Sequence, residues 1–289
     1  MPQEPIQKIV DIDKIFHDKN PGLYKMLPGF VLRYIKRVIH QDEMNRILNK
    51  SEGIKGIDFA NLVIEQMGLT VSASGLENVP EKGPVIIAAN HPLGGMDAMT
   101  LIRFIGTKRQ DIRFLVNDIL TRLPQFGEVF VPVNKLGSNA KSNLERIEEI
   151  YASDKAVMIF PAGLCSRKKN GEVKDLEWHK SFVSKAQKYK HPIIPICVKA
   201  QNSHWFYNLS RFRTAMGIKA NIEMFYLPDE MFKQKGKKIE LIIGQPIQPE
   251  MLHNGRTPKE WAEIIKAFVY SMETENKRSF DEYLLQVSI

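Results

Sequence analysis

Between about residues 70 and 245, short apolar runs alternate with stretches in which apolar residues have helical spacing. The apolar runs predict strands at Thr70–Ser74, Val85–Ala89, Ile112–Val116, Val129–Val133, Ala156–Phe160, Ile193–Lys199 and Ile239–Ile243. The other stretches predict helices near Met96–Ile105, Ala140–Ala152 and Asp175–Tyr189. Strands that alternate with helices in this way are typical of an α/β fold, with a mostly parallel mixed sheet flanked by helices. We expect this fold over residues 71–289.

Residues 1–70 have a different, helical pattern and are predicted to form a separate N-terminal helical region. Within it, Phe30–Ile39 predicts an amphipathic helix with a broad apolar arc. The arc comprises Phe30, Val31, Leu32, Tyr34, Ile35, Val38 and Ile39, and the remaining side carries Arg33, Lys36 and Arg37. Such a helix either packs on its own domain with its charges in solvent or lies on a membrane surface.

The last predicted helix has clear signals at its start. Thr257 can cap it, Pro258 suits its first position, and Glu260 completes a capping box. Its predicted buried stripe comprises Trp261, Ile264, Ile265, Phe268 and Met272. By contrast, residues 167–174 are polar and are expected to form an exposed loop.

Composition and charge narrow the function classes. Apolar residues make up 43% and charged residues 26% of the 289 residues, which is typical of an ordinary folded protein. The net charge of +8 suits nucleic acid, anionic lipid or phosphorylated metabolites, but the sequence has no nucleic-acid-binding motif. Two cysteines, Cys165 and Cys197, exclude a disulfide framework and fit a reducing compartment. The N-terminus lacks the pattern of a signal peptide, and no apolar run approaches the roughly 20 residues of a membrane span.

The segment Ala88–Asp97 contains the candidate catalytic pair. A predicted buried strand ends at Asn90, His91 follows it directly, and Gly94-Gly95 permit a tight turn into the helix near Asp97. In a parallel α/β sheet, ligands bind beyond the carboxyl ends of the strands. A histidine there can take a proton near neutral pH, and a carboxylate one turn away can hold its ring in one tautomer. The alternative is that both side chains only cap local structure.

Several blocks in order resemble the lysophospholipid acyltransferase (glycerolipid acyltransferase) superfamily, whose signature is a His and, a few residues later, an Asp. The blocks are residues 74–80 (SGLENVP), 83–91 (GPVIIAANH), 127–135 (GEVFVPVNK), 160–163 (FPAG) and 193–195 (IIP). Blocks in a fixed order are far more specific than any one of them.

Departures from the common pattern point to one branch of that superfamily. Five residues, instead of the usual four, separate His91 from Asp97; Ala162 replaces a usual Glu, and Lys135 a usual Arg. This pattern resembles the bacterial hemolysin-like branch, which includes enzymes that acylate lyso-ornithine and lyso-glycine lipids. The same branch is suggested by residues 160–167 (FPAGLCSR), Asp175–Trp178, Phe182, Asn202-Ser203 and Phe206-Tyr207.

The resemblance implies an O-acyltransferase that moves a fatty acyl chain to a hydroxyl of a lyso-lipid, either a lyso-aminolipid or a lysophospholipid. The donor would be acyl-carrier protein or acyl-CoA, as a co-substrate, with no resident cofactor and no metal. His91 would act as general base, oriented by Asp97. Backbone N–H groups near Gly95 or at the Gly163 turn would stabilise the oxyanion. The full set of expected substrate-binding residues is Asn90, Gly94, Gly95, Lys135, Gly163, Ser166 and Arg167.

Two other functions remain open: a non-catalytic lipid-binding module of the same fold, and a thioesterase with Cys165 as nucleophile. For an acyltransferase, the basic clusters suit an acidic carrier protein and an anionic membrane surface. The clusters are Arg33, Lys36 and Arg37, and then Lys233, Lys235, Lys237 and Lys238. We therefore expect a peripheral protein on the cytoplasmic face of the inner membrane, with no nucleic-acid partner.

Overall fold

The protein is described from a computed structural model, over residues 7–116, 123–133, 140–253, 255–274 and 279–287. Its helices are α1 (Ile12–Lys19), α2 (Pro21–Met26), α3 (Gly29–Val38), α4 (Gln41–Lys50), α5 (Gly56–Gln66), α6 (Gly95–Gly106), α7 (Ala140–Tyr151), α8 (Ser181–Tyr189), α9 (His204–Ala215), α10 (Leu227–Phe232), α11 (Pro258–Ser271) and α12 (Phe280–Val287). Its strands are β1 (Thr70–Ser74), β2 (Val85–Ala89), β3 (Ile112–Val116), β4 (Phe130–Pro132), β5 (Ala156–Ile159), β6 (Arg167–Lys169), β7 (Glu172–Lys174), β8 (Ile193–Lys199) and β9 (Lys238–Ile243).

Within the described residues, seven strands form the central sheet in the order β1-β9-β8-β2-β5-β3-β4. The run from β8 to β4 is parallel throughout. β9 pairs antiparallel with β8 and parallel with β1, so β9 and β1 run in the opposite direction. The predicted mostly parallel mixed sheet is confirmed. It places the carboxyl ends of β2, β5 and β8 side by side at one edge.

Helices cover both faces of the sheet, as a parallel sheet requires. Successive residues of β2 point to opposite faces. Val85, Ile87 and Ala89 join a core cluster with α5 and α6, while Ile86 and Ala88 join a second cluster with α8 and α11. All five β2 side chains are completely buried, which makes β2 a rigid base for the residues that follow it.

The N-terminal helices join the sheet mainly through α5. Its residues Phe59 and Ile64, together with Met67, lie in the same apolar cluster as Ile87 of β2. α5 also packs along α6, the helix that begins just after the predicted catalytic segment. The division of the chain at residue 70 stays a prediction.

Helix α3 is only partly packed on the rest of the protein. Val38 is buried, but Phe30 is 66% exposed and Tyr34 is 45% exposed. The apolar arc is therefore partly covered, since Val31, Leu32, Ile35 and Ile39 are half-buried while Phe30 and Tyr34 are open to solvent. Of the basic side chains on the other side, Lys36 pairs with Asp13 of α1. Throughout the described residues, every helix is too short or too polar to cross a membrane.

The segment 167–180 differs from its prediction. Residues 167–174 form an antiparallel hairpin, β6–β7, instead of a loop. Asn170 and Gly171 have φ values of 52° and 87°, and positive φ at both central residues is the feature of a type I′ hairpin turn. Helix α8 begins at Ser181 and not at Asp175, because Asp175 and Trp178 are held by side chains elsewhere in the fold.

The start of α11 agrees with the sequence. The Thr257 side chain accepts a hydrogen bond from the Glu260 N–H, and the Glu260 carboxylate accepts one from the Thr257 N–H at 2.6 Å. Trp261, Ile265 and Phe268 of the predicted stripe are fully buried in the second core cluster. Helix α11 is thereby fixed against the sheet.

Candidate active site

His91 and Asp97 meet at the carboxyl end of β2, at the centre of the sheet. His91 Nδ1 lies 3.0 Å from Asp97 Oδ2. The imidazole also stacks on the Phe160 ring just beyond β5, with ring centroids 3.9 Å apart and an interplanar angle of 17°. The Asp97 carboxyl is completely buried, whereas the His91 side chain is 16% exposed. The pair thus has an oriented ring, with Nε2 as the nitrogen that Asp97 does not engage.

The turn between the two residues is held by the carboxylate itself. Asp97 Oδ2 accepts hydrogen bonds from the Leu93 N–H at 2.8 Å and from the Gly94 N–H at 3.1 Å. Asp97 lies in the first turn of α6, where the helix dipole favours a negative charge. Gly94 has φ 92° and ψ −127°, a conformation essentially restricted to glycine. The five-residue spacing is therefore accommodated by a glycine turn that brings Asp97 back to His91.

The two groups perturb each other's protonation. Burial lowers the pKa of His91, but the Cys165 sulfur and the Asp97 carboxylate outweigh burial and raise the pKa of His91 from 6.5 to about 10. Burial raises the pKa of Asp97, against the hydrogen bonds from His91, Leu93 and Gly94. Within the described residues, Asp97 Oδ1 is buried without a hydrogen-bond partner. Once deprotonated, His91 is consequently a stronger base than an ordinary histidine.

Cys165 lies against this pair. It is 1% exposed, and its Sγ would be 3.3 Å from a Cβ atom placed on Gly94. It also interacts with the His91 ring. Cys197, in contrast, is a completely buried core residue of β8. The cysteine that the sequence offered as an alternative nucleophile is thus next to the candidate base.

Asp175 holds the backbone of His91, a role that the residue pattern alone did not reveal. Its Oδ1 accepts from the His91 N–H at 3.2 Å and from the Ser166 hydroxyl at 2.6 Å. Its Oδ2 accepts from Trp178 Nε1 at 2.9 Å, and its own N–H donates to the Tyr270 hydroxyl at 2.7 Å. The Ser166 N–H closes the arrangement by donating to the His91 carbonyl at 2.8 Å. Resemblance to the hemolysin-like branch was the one sequence signal at Asp175 and Trp178.

Two asparagines connect the neighbouring strand ends. Asn90 Oδ1 accepts from the Val198 N–H at 2.6 Å, and Asn90 Nδ2 donates to the Val198 carbonyl at 3.1 Å. Asn202 Nδ2 donates to the Pro92 carbonyl at 3.0 Å. Both side chains therefore join the end of β8 to the catalytic turn. Asn90 was predicted to bind substrate, and its amide group is engaged with the backbone in this structure.

Arg167 lies in a buried charge cluster. Its Nη2 is 2.9 Å from Glu223 Oε1, and Glu223 also pairs with Arg213. The Arg167 guanidinium also donates to the carbonyls of Cys165 and Ser166. Arg167 and Ser166 are thus close to the site, as predicted, but the polar atoms of both have partners within the protein. Their predicted contact with the acceptor stays a prediction.

The remaining predicted residues concern the oxyanion and the substrate. Gly95 begins α6, where the first backbone N–H groups have no intrahelical acceptor, and a Cβ atom placed on Gly95 meets only open space. The Gly163 N–H donates to the Phe160 carbonyl at 3.0 Å, so it closes its own turn. Lys135 lies outside the described residues. The Gly163 N–H is thus already engaged, and the role of Gly95 as an oxyanion donor stays a prediction.

This geometry supports proton transfer by a histidine base. A base with one nitrogen held by a buried carboxylate, next to open space at a helix N-terminus, can deprotonate a hydroxyl and stabilise the charge that develops. Among the described residues, no group of three or more His, Cys, Asp and Glu side chains is placed to hold a metal ion.

Comparison with known proteins identifies the family of this chain. The family model described as Acyltransferase matches residues 14–279. A lyso-glycine lipid O-acyltransferase from Bacteroides thetaiotaomicron is 40% identical over 265 residues, covering 91% of this chain and 97% of that protein. A second, from Phocaeicola vulgatus, is 41% identical and covers 91% of this chain and 95% of its own length.

A solved structure, the 1-acyl-sn-glycerophosphate acyltransferase PlsC from Thermotoga maritima, is 17% identical with a TM-score of 0.48, covering 91% of this chain and 93% of that one. The family assignment itself rests on sequence, through the match over residues 14–279 and the two relatives at 40% and 41% identity. The chain therefore belongs to the acyltransferase family, as the ordered blocks around His91 predict.

Proposed function

We propose that this protein is a lyso-lipid O-acyltransferase. The observation that carries the proposal is the contact of His91 Nδ1 with the buried Asp97 carboxylate at 3.0 Å, which leaves Nε2 for the acceptor hydroxyl. Both relatives named above are lyso-glycine lipid O-acyltransferases, and they align with nine-tenths of this chain. We therefore favour a lyso-aminolipid as the acceptor.

The reaction is a direct acyl transfer from a thioester. His91 Nε2 removes the proton from the acceptor hydroxyl as its oxygen attacks the thioester carbonyl carbon. Backbone N–H groups at the start of α6, at Gly95 and Met96, stabilise the oxyanion of the tetrahedral intermediate. When the intermediate collapses, the C–S bond breaks and the protonated His91 returns its proton to the leaving thiolate. The products are the ester and a free thiol, and no resident cofactor or metal takes part.

Acyl-carrier protein and acyl-CoA are the two donors in the proposal, and the acceptor is taken from a membrane. Both donors are acidic, which suits a chain with a net charge of +8. The protein would act as a peripheral protein at the cytoplasmic face of the inner membrane. To identify the donor, parallel reactions are supplied with acyl-carrier protein or with acyl-CoA, and their initial rates of acyl transfer are compared.

The test is transfer of a labelled acyl chain by the purified full chain to a panel of lyso-lipids. The panel comprises lyso-glycine lipid, lyso-ornithine lipid and lysophosphatidic acid, with products separated by chromatography. We expect diacylated product with the lyso-glycine lipid, and a loss of about 10²–10⁴-fold in rate in His91→Ala. His253→Ala, which removes an exposed histidine, is the matched control. Full activity of His91→Ala would refute the mechanism.

A thioesterase is the second candidate, because Cys165 lies against the Gly94 turn and is close enough to His91 to raise its pKa. In that reaction the Cys165 sulfur would take the acyl group and water would release it as a free fatty acid. Release of fatty acid without an acceptor, abolished in Cys165→Ala, would favour the thioesterase. The direct transferase predicts that Cys165→Ala still acylates the lyso-lipid. Tight binding of lyso-lipids without any turnover would instead indicate a non-catalytic lipid-binding module.

A further inference from the structure

Helix α9 and the segment after it expose a row of large apolar side chains. Trp205, Phe212 and Met216 are 46%, 60% and 64% exposed, and their spacing of seven and four residues places them on one side of the helix. The other side of the helix buries Phe206, Tyr207 and Ser210. The apolar row continues in the segment that follows, through Ile218, Ile222 and Phe225, which are 39–40% exposed.

Helix α3 extends the same surface. The Tyr34 hydroxyl lies 2.9 Å from the Tyr226 hydroxyl, and the Tyr226 ring packs edge-on against Trp205 at 4.5 Å between centroids. Tyr34 and Phe30 are exposed four residues apart on α3. We define the aromatic face as the exposed side chains of Met26, Phe30, Tyr34, Trp205, Phe212, Met216, Ile218, Ile222 and Phe225.

The two segments that carry the aromatic face are basic, and the nearby Asp229, which adds to the Tyr34 hydrogen bond in raising the pKa of Tyr226, pairs with His40 and Lys233. The segments 25–37 and 204–226 contain seven Lys and Arg residues and a single acidic residue, Glu223. Glu223 is completely buried in its pairing with Arg167 and Arg213. The exposed basic side chains of these two segments are Lys25, Arg33, Arg37, Arg211 and Lys219. An apolar centre with exposed basic residues is the composition of a surface that enters an anionic lipid interface.

The aromatic face borders the catalytic turn. Residues 222–227 present Ile222 and Phe225 to the outside, while Glu223 pairs with Arg167, two residues beyond Cys165. Leu227 lies 3.6 Å from the position of a Cβ atom on Gly94. A single short segment thus has one side on the aromatic face and the other against the turn that carries His91 and Asp97.

We propose that the aromatic face docks on an anionic lipid bilayer and brings the Gly94 turn to the lipid interface. The charge would also suit an acidic carrier protein, but the widely exposed side chains of Phe30, Phe212 and Met216 favour insertion between lipid headgroups. The inference rests on the proposed function in one respect, that the acceptor lipid is taken from this bilayer. In this inference the membrane contact is made by exposed apolar side chains of α3, α9 and the segment after α9, and not by the basic side of α3 alone.

The first experiment measures sedimentation of the full chain with phosphatidylcholine vesicles, with and without phosphatidylglycerol. We expect binding that requires phosphatidylglycerol, and a loss of about tenfold or more in Phe212→Ser/Phe225→Ser. Leu285→Ser is the matched control, because Leu285 is 72% exposed on α12, whose Phe280 lies in the core cluster on the opposite side of the sheet. Arg33→Glu/Arg211→Glu should also weaken binding, and Lys180→Glu, an exposed charge on the α8 side, should not.

A second measurement separates this inference from the proposed function. Transfer to a short-chain lyso-lipid dissolved as monomers needs no bilayer, so Phe212→Ser/Phe225→Ser should retain the wild-type rate in that assay. The inference would be overturned if Phe212→Ser/Phe225→Ser bound vesicles as well as wild type does. It would also be overturned if this variant lost binding to acyl-carrier protein but kept its binding to vesicles. A wild-type protein that binds vesicles through Phe212 and Phe225 but acylates no lyso-lipid would refute the proposed function and leave the docking surface standing.

Discussion

Replacement of Gly94 by alanine perturbs the turn that joins His91 to Asp97. Gly94 has φ 92° and ψ −127°, where a Cβ atom clashes with its own backbone. An added Cβ would also lie 3.3 Å from Cys165 Sγ, which is tighter than an ordinary contact, and 3.6 Å from the Leu227 side chain, which is ordinary van der Waals contact. The turn cannot shift freely, because the Gly94 N–H and the Leu93 N–H donate to Asp97. Gly94→Ala therefore strains the active site directly.

The expected cost is about 3 kcal/mol of unfolding free energy, from a residue forced into a backbone region that L-residues avoid. At about 2 °C or more per kcal/mol for a chain of this size, the melting temperature should fall by about 6 °C or more. Relief of this strain by movement of the turn separates Asp97 from His91. A misplacement of about 1 Å at reacting groups costs about 10²-fold in rate, which is the loss we expect in kcat.

The assay is thermal unfolding followed by circular dichroism, together with acyl transfer measured at saturating acceptor. Gly95→Ala is the matched control, because Gly95 is the first residue of α6 and its added Cβ meets open space. Alanine favours a helix over glycine by about 0.5–1 kcal/mol, so this variant should be as stable as wild type or more so. A Gly94→Ala protein with wild-type melting temperature and kcat would show that the turn does not need its glycine conformation, and the reasoning would fail.

Four further predictions concern charge. Asp97→Asn should lower kcat by about 10⁴-fold with little change in fold, measured by acyl transfer, since the imidazole loses the carboxylate that sets its tautomer and stabilises its charge. Because Asp97 and Cys165 raise the pKa of His91 to about 10, kcat/KM should rise with pH towards that value, and Cys165→Ala should move the rise to lower pH. The same raised pKa stabilises the fold below about pH 6.5 and is lost as pH rises towards 10, so the unfolding free energy of wild type relative to His91→Ala should decrease across that range. Glu223→Gln should lower the free energy of unfolding by about 3–5 kcal/mol, measured by chemical denaturation, because it leaves the buried Arg167 without a carboxylate partner. Arg167→Met should lower it less, since Glu223 still pairs with Arg213.

The sequence predicted the parts of the fold that depend on local pattern. The fully buried strand β2, the turn at Gly94 and the carboxylate one turn later are adjacent in the chain, so their meeting follows from strand and helix geometry alone. The capping box at Thr257 is equally local. The block at residues 160–163 then located the end of β5, where Phe160 stacks on His91.

The parts that the sequence did not predict depend on partners far away in the chain. Arg167 was expected to meet substrate, yet its carboxylate partner is Glu223, 56 residues away. Asp175 receives the His91 N–H across 84 residues, and no spacing rule connects the two. The apolar arc of α3 shows the same limit, since periodicity predicts which side is apolar and not whether another element covers it. Phe30 lies on the apolar side of α3 and is exposed, because no other element covers it among the described residues.

The position of β1 at the edge of the sheet affects the order in which the protein is made. β1 is the first strand synthesised, and its pairing partner is β9, with Thr70 opposite Lys238. At about 5–20 residues per second, translation from one strand to the other takes roughly 10–30 s. During that time β1 has no partner, and the apolar side of α5 emerges before most of the sheet it covers. Helix α5 can pack on β2 and α6 soon after they are made, whereas β1 enters the sheet only when β9 arrives.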